Sequence, residues 1–238
     1  MSSNNLSIVV LCGGKGTKMG KIAAKNKCKS LIPILNRPIL FYTLTWLKSL
    51  PNKTIYLCID RNEILQEVNQ AAIEAGLKSY KIFHDNGSGV MPILCNLYNE
   101  LPEKVMVMCG NQPIPTEDLR KFIETNSPII LGLYRETSDV PPIIIRARQI
   151  NNHFRVESVE ERQNLGLSEN EYYLSRPYVI AKKLLLKNKL FQKRMELEFK
   201  IWWDNRIETS GILLDVPYEI HYPDDVSQLK NFLGKHDF

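Results

Sequence analysis

Ser7-Ile-Val-Val-Leu-Cys-Gly-Gly-Lys-Gly-Thr-Lys-Met-Gly20 decides the reading of this chain. Ser7 to Leu11 is an apolar run of strand length, and the glycines begin where a buried parallel strand would end. Open α/β sheets bind their ligands at that place. Gly13, Gly14 and Gly16 carry no Cβ, so the backbone can take positive φ and let an anion approach its N–H groups. Lys15, Lys18, Lys21, Lys25, Lys27 and Lys29 follow, with no Asp or Glu anywhere from Ser2 to Ile59. A field of that sign favours a polyanion, and phosphate is the expected guest. A glycine cluster alone fits a solvated basic turn equally well, so a second element has to decide.

Two familiar phosphate signatures fail. The spacing misses Gly-x-Gly-x-x-Gly by one residue and lacks the Gly-Lys-Ser/Thr of a Walker loop. Pro33 and Pro38 postpone any long helix to about Ile39. The paired elements Gly13-Gly-Lys-Gly-Thr-Lys-Met19 and Lys29-Ser-Leu-Ile-Pro33, continued by Asn36-Arg-Pro-Ile39, resemble the signature of the sugar-phosphate nucleotidylyltransferases. The resemblance implies a glycosyltransferase-A-like nucleotide-binding fold and transfer of a nucleotidyl group to a sugar phosphate or similar phosphorylated alcohol, with release of pyrophosphate. It also implies that Leu11, Gly13, Gly14, Gly16, Thr17 and Lys18 bind the triphosphate, and that Lys18 and Lys29 supply catalytic charge. Gly87, Ser88 and Gly89 match a turn that holds the base, with His84 as a further candidate against its reading as a surface-turn histidine.

The resemblance departs where metal is bound. Gly110-Asn111 stands where the family has Gly-Asp, and His221-Tyr-Pro-Asp-Asp-Val226 where it has a motif beginning with aspartate. Asn111, Glu219 and His221 are therefore the implied neighbourhood of Mg²⁺, with Mn²⁺ as the other candidate ion. Imidazole suits softer metals than Mg²⁺, and Lys18 for arginine keeps the charge but loses the planar fork. These departures leave open a catalytically weak or inactive relative that binds nucleotide or nucleotide sugar as a regulator or scaffold. Glu161, beside Glu160 at a hairpin end, and Lys200 are the implied acceptor-binding residues, each with a solvated surface role as its rival. A glycosyltransferase would usually show Asp-x-Asp, and none occurs.

The rest of the chain alternates. Apolar runs at Lys53–Asp60, Ser79–Phe83, Lys104–Cys109 and Pro128–Tyr134 read as strands. Helical patterns lie between them at Pro38–Ser49, Arg61–Leu77, Val90–Leu101 and Thr116–Thr125, with Thr116 as N-cap candidate. Ile143–Arg148 and Phe154–Val159 flank Asn151-Asn152 as an antiparallel hairpin, and Glu171–Ala181 is a further strand. Lys182–Asn205 reads as a charged helix, Ile212–His221 as a strand, and Asp224–Leu233 as a helix. The expectation is one domain over 1–238 with an open, mostly parallel, Rossmann-like sheet, helices on both faces and a small antiparallel appendage. A nucleotide-binding core spans about 1–135 and an acceptor-binding part with the C-terminal helix about 136–238.

Composition narrows the partners. Hydrophobic residues make up 44% of 238, enough for a substantial core, and the net charge of +5 is modest and concentrated in the N-terminal loop. That argues for a small phosphorylated ligand over nucleic acid. No apolar run reaches the ~20 residues of a spanning helix, and Met1 to Asn5 lacks the character of a signal peptide, so a cytoplasmic protein without a membrane partner is expected. Five scattered cysteines without a Cys-x-x-Cys pair read as reduced core residues. Trp202 and Trp203 read as packing or dimer residues, which allows a homodimer.

Overall fold

The computed structural model describes residues 6–14, 16–85, 89–135, 143–161, 167–185, 195–214, 219–236 and 238. In chain order the elements are β1 (Leu6–Leu11), α1 (Lys21–Lys25), β2 (Pro33–Ile34), β3 (Arg37–Pro38), α2 (Ile39–Lys48), β4 (Lys53–Ile59), α3 (Leu65–Glu74), β5 (Lys81–His84), α4 (Val90–Asn96), β6 (Lys104–Cys109), α5 (Thr116–Glu124), β7 (Ile129–Tyr134), β8 (Ile143–Ile150), β9 (His153–Glu161), β10 (Glu171–Ala181), α6 (Met195–Asp204), β11 (Thr209–Leu213) and α7 (Pro223–Leu233). Two extra residues at Leu35 and Asn36, both with positive φ, turn β2 back on β3.

The central strands are apolar on both faces because both faces are covered. Ile8 and Val10 of β1, with Met106 and Met108 of β6, point into a core that includes Leu40, Leu44 and Leu47 of α2, Val68 of α3, Phe122 of α5 and Leu233 of α7. Val9, Val105 and Val107 face the opposite core, built with Leu94 of α4 and Phe199 and Trp202 of α6. Successive side chains of a strand alternate sides, so a run such as Ile-Val-Val feeds two cores at once. The expected helices on both faces are present. Trp202 is a packing residue, as expected, with its ring 5.7 Å from that of Phe199.

The open, mostly parallel sheet is corrected. One sheet runs in the order β5-β4-β1-β6-β10-β7-β11-β9-β8, and β8 pairs again with β10. Strands β5, β4, β1 and β6 are parallel, while β10 is antiparallel to β6, β7 and β8. The last five strands in that order therefore close into a mixed, barrel-like ring. The hairpin β8–β9 is a wall of this ring rather than an appendage.

Strand β10 makes the closure possible by changing neighbours partway along. Glu171 to Tyr173 pair with β8, whereas Tyr178 to Ala181 pair with β6, and the register against β7 shifts between Ser175 and Tyr178. Gly132 of β7 lies under that shift, where a Cβ would stand 2.8 Å from Ser175 O and 2.9 Å from Pro177 O. The pairing of β10 with β6 ends at Val107, so Met108 and Cys109 project past it. Beyond that end, Gln112 is fully buried and donates from Nε2 to Tyr134 Oη at 3.1 Å and to the Arg176 carbonyl.

Two local expectations are also corrected. Thr116 does not cap α5: the N-cap is Pro115, and Thr116 Oγ1 donates to Trp46 O at 2.7 Å, tying α5 to α2. Of the strand expected over Ile212–His221, Ile212 and Leu213 end the strand Thr209–Leu213, Leu214 N–H adds a bond to Leu133 O, residues 215–218 lie outside the described residues, and Glu219 to His221 are not strand. Of the charged stretch Lys182–Asn205, Met195–Asp204 is helical and residues 186–194 lie outside the described residues. All five cysteines are free thiols, as expected. Among the described residues no helix is long and apolar enough to cross a membrane.

Candidate functional site

The glycine loop leaves the sheet between two strand tips. Cys12 N–H donates to Cys58 O at 2.8 Å, and Gly110 N–H to Leu11 O at 2.9 Å, so β1 stays laddered to β4 and β6 until the glycines begin. Gly14 and Gly16 adopt φ of 104° and 61°, a region that side chains other than glycine rarely take. Gly16 opens the tight turn Thr17–Met19, and buried Met19 anchors it below. Thr17 and Lys18 are exposed on the outer side, with the Lys18 ammonium 5.6 Å from the centre of the Tyr222 ring. Lys15 lies outside the described residues.

A carboxylate that the motif reading did not single out holds this loop. Asp60, at the end of β4, accepts a bond from Gly14 N–H at 3.1 Å, and a Cβ on Gly13 would fall 2.6 Å from its Cγ. Arg61 grips the same carboxylate twice, Nε to Oδ1 at 2.8 Å and Nη2 to Oδ2 at 2.7 Å. Arg61 above all, opposed by partial burial and helped by the Gly14 N–H, keeps the Asp60 carboxyl below its usual range. Its one trace in the sequence is position: it is the first acid after the long basic stretch.

The second half of the site lies at the carboxyl end of β6. Lys29, in the turn Lys29–Leu31, donates from Nζ to Ile220 O at 3.0 Å and stands 3.5 Å from Glu219 Oε1. Asn111 is buried and donates from Nδ2 to the same Ile220 carbonyl at 3.2 Å. His221 Nε2 lies 4.0 Å from Glu219 Oε2, and its backbone N–H is held at 2.6 Å by Asp225, the first-turn acid of α7. Burial works to raise the Glu219 pKa, but Lys29, then Arg176 and His221, with a hydrogen bond from the Cys109 thiol, outweigh it and hold the carboxyl low. The same burial pushes the Cys109 thiol up to about 12, with Arg176 opposing.

The structure thus brings Lys29, Asn111, Glu219 and His221 into one cluster. It does not bring the acceptor candidates into that cluster. Lys200 pairs with Asp204 on α6 at 3.1 Å, and Glu161 is exposed at the end of β9 opposite Ile143. Glu160 turns to Arg146 at 3.9 Å. His84 ends β5 at the same sheet edge as the glycine loop and is exposed. Gly89, with φ of 103°, precedes α4, while Gly87 and Ser88 lie outside the described residues. Arg61, Cys109, Arg176 and the Ile220 carbonyl join the site without any motif to announce them.

The cluster does not fit Mg²⁺ as a protein-held ion. Mg²⁺ asks for hard oxygen ligands in near-octahedral array. Here Glu219 is the sole carboxylate of the set, Asn111 turns its donor nitrogen to the shared carbonyl, and His221 offers imidazole. Among the described residues no three His, Cys, Asp or Glu side chains stand close enough to share a metal.

No family model matches the chain. Among curated proteins it is 22% identical over 136 residues to the bifunctional protein GlmU of Sulfurimonas denitrificans, a match covering 56% of this chain and 30% of that protein. The chain therefore spans less than a third of the length of that relative. Among solved structures it is similar to the inositol-1-phosphate CTP transferase from T. maritima, with a TM-score of 0.74, 14% identity and coverage of 99% of this chain and 97% of that one. A UDP-glucose pyrophosphorylase complexed with UDP-glucose matches with a TM-score of 0.74, 11% identity and coverage of 97% and 99%. A putative glucose-1-phosphate thymidylyltransferase from Bacillus anthracis gives 0.73, 15%, 98% and 97% in the same terms. The motif resemblance and these likenesses converge: the chain has the nucleotidyltransferase fold.

Proposed function

We propose that the chain is a nucleotidylyltransferase that joins a nucleoside triphosphate to a sugar phosphate or similarly phosphorylated alcohol. An oxygen of the acceptor phosphate attacks the α-phosphorus, the bond to the bridging α–β oxygen breaks, and pyrophosphate leaves with that oxygen. Such a reaction needs alignment and positive charge more than covalent help. Gly13, Gly16 and Thr17 present backbone N–H groups to the phosphates, and Lys18 and Lys29 face the charge that builds on the leaving group. His84 and Gly87 to Gly89 attend to the base, whereas Glu161 and Lys200, which stand outside the cluster, carry no acceptor role in this reading. Asn111, Glu219 and His221 shape the site at the carboxyl end of β6. Mg²⁺ or Mn²⁺, brought with the triphosphate, would supply further positive charge for the leaving pyrophosphate.

The observation that carries this reading is the convergence of the glycine loop of β1 with Lys29 and Asn111 at the carboxyl edge of one sheet. Incubation with each nucleoside triphosphate and a panel of sugar phosphates is expected to release pyrophosphate for at least one pair, and Lys29→Ala to abolish it. A chain that neither binds a nucleotide nor releases pyrophosphate overturns the reading. A second reading, a relative that binds nucleotide without turnover, is favoured by Asn111 and His221. Tight binding with no pyrophosphate selects it.

A further inference from the structure

We propose that the Lys29 ammonium is the resident cation of this cluster, seated on the oxygen atoms a divalent ion would need, so that the protein by itself recruits no such ion. The inference rests on the nucleotidyl-transfer reading for the purpose of the cluster, and its test below uses nucleotide-free protein. Two oxygens define the seat, Ile220 O at 3.0 Å and Glu219 Oε1 at 3.5 Å from Nζ. A carbonyl oxygen has two lone pairs, and that of Ile220 accepts from both Lys29 and Asn111. It has nothing left for a metal.

The other carboxylate oxygen is no freer. Glu219 Oε2 faces His221 Nε2 at 4.0 Å, and the carboxyl takes a bond from Cys109 and the field of Arg176. One buried negative charge is thus already met by two permanent cations on different elements, Lys29 before β2 and Arg176 in β10. A divalent ion placed there would be repelled by both, and by Lys29 at short range, in a medium that screens weakly. Lys29 is only partly buried, so it can serve Glu219 and still face a phosphate. A lysine is also a cation that no chelator removes.

The test is titration of Mn²⁺ into nucleotide-free protein, followed by the electron paramagnetic resonance signal of the free ion. Wild type and Lys29→Arg are expected to leave the signal unchanged. Lys29→Met with Asn111→Asp removes the ammonium and supplies a second carboxylate, and is expected to bind one Mn²⁺ per chain at least about tenfold more tightly than wild type. Adding Glu219→Gln abolishes that gain. Circular dichroism checks the fold of each variant, and Lys29→Gln alone, a gentler change, is expected to bind Mn²⁺ weakly if the double variant does not fold. Wild-type protein that binds Mn²⁺ one to one, with loss on Glu219→Gln, overturns the inference. Folded lysine-lacking variants that stay blind to Mn²⁺ overturn it as well. Since no nucleotide is present, the result is independent of whether pyrophosphate is ever released.

Discussion

The Asp60 carboxylate accepts the Gly14 N–H at 3.1 Å across a sequence separation of 46 residues, and so fastens the glycine loop to the tip of the neighbouring strand. The bond spends one of the loop's backbone donors on an internal anion. It fixes a backbone that glycine would otherwise leave loose.

Asp60→Ala is expected to lower stability by about 1–3 kcal/mol, because it strands the Arg61 guanidinium and the Gly14 N–H together. Urea denaturation measures the loss. Gly13→Ala drives a Cβ into the same carboxylate, 2.6 Å from Cγ. In the double variant the clash with Cγ and Oδ1 is gone and only the Cβ of residue 60 at 3.0 Å remains, so the two costs should not add, and a coupling of about 0.5–3 kcal/mol is expected from the cycle.

Gly132→Ala is expected to cost about 1–3 kcal/mol, since its Cβ would press on two backbone oxygens that cannot swing away, Ser175 O at 2.8 Å and Pro177 O at 2.9 Å. The thermal midpoint should fall by about 2–4 °C for each kcal/mol lost. A neutral result would mean that the register shift in β10 relaxes freely.

Glu219 predicts an acid limb of stability. Its folded pKa lies below the unfolded one, so the contribution is present above the ordinary glutamate range and is lost as pH falls through the lowered value. Between about pH 5 and pH 3, wild type should therefore lose more stability than Glu219→Gln. Parallel curves for the two proteins would show that Lys29 and Arg176 do not act on this carboxyl.

Thiol reactivity separates Cys95 from the rest. Burial pushes Cys58 and Cys109 up to about 12, raises Cys12 well above the ordinary thiol range and raises Cys28, and all four are buried; Cys95, also raised by burial, is only partly covered. Titration with a chromogenic disulfide at pH 8 should find at most one thiol in the native protein and five after unfolding. Rapid reaction of two or more native thiols would contradict the packing at the tips of β1, β4 and β6.

Much of the sheet could be read from the chain because apolar runs such as Ser7–Leu11 and Lys104–Cys109 are buried on both faces and leave no other interpretation. The ring could not. Glu171–Ala181 is recognisable as a strand, but its direction and its change of partner from β8 to β6 depend on pairing with residues 25 to 77 positions away, and alternation carries no such information. The site divides in the same manner. Side chains in motifs, Lys29 and Asn111, were legible, while the Ile220 carbonyl that joins them is backbone and has no residue type to betray it. Asp60 needed the meeting of two strand tips.

Ring closure also limits where another strand could add. With β8 returned onto β10, the border of the nine-stranded sheet among the described residues is β5, four residues long and carrying exposed Lys81 and His84. So short and charged a border is a poor template for intermolecular strand addition.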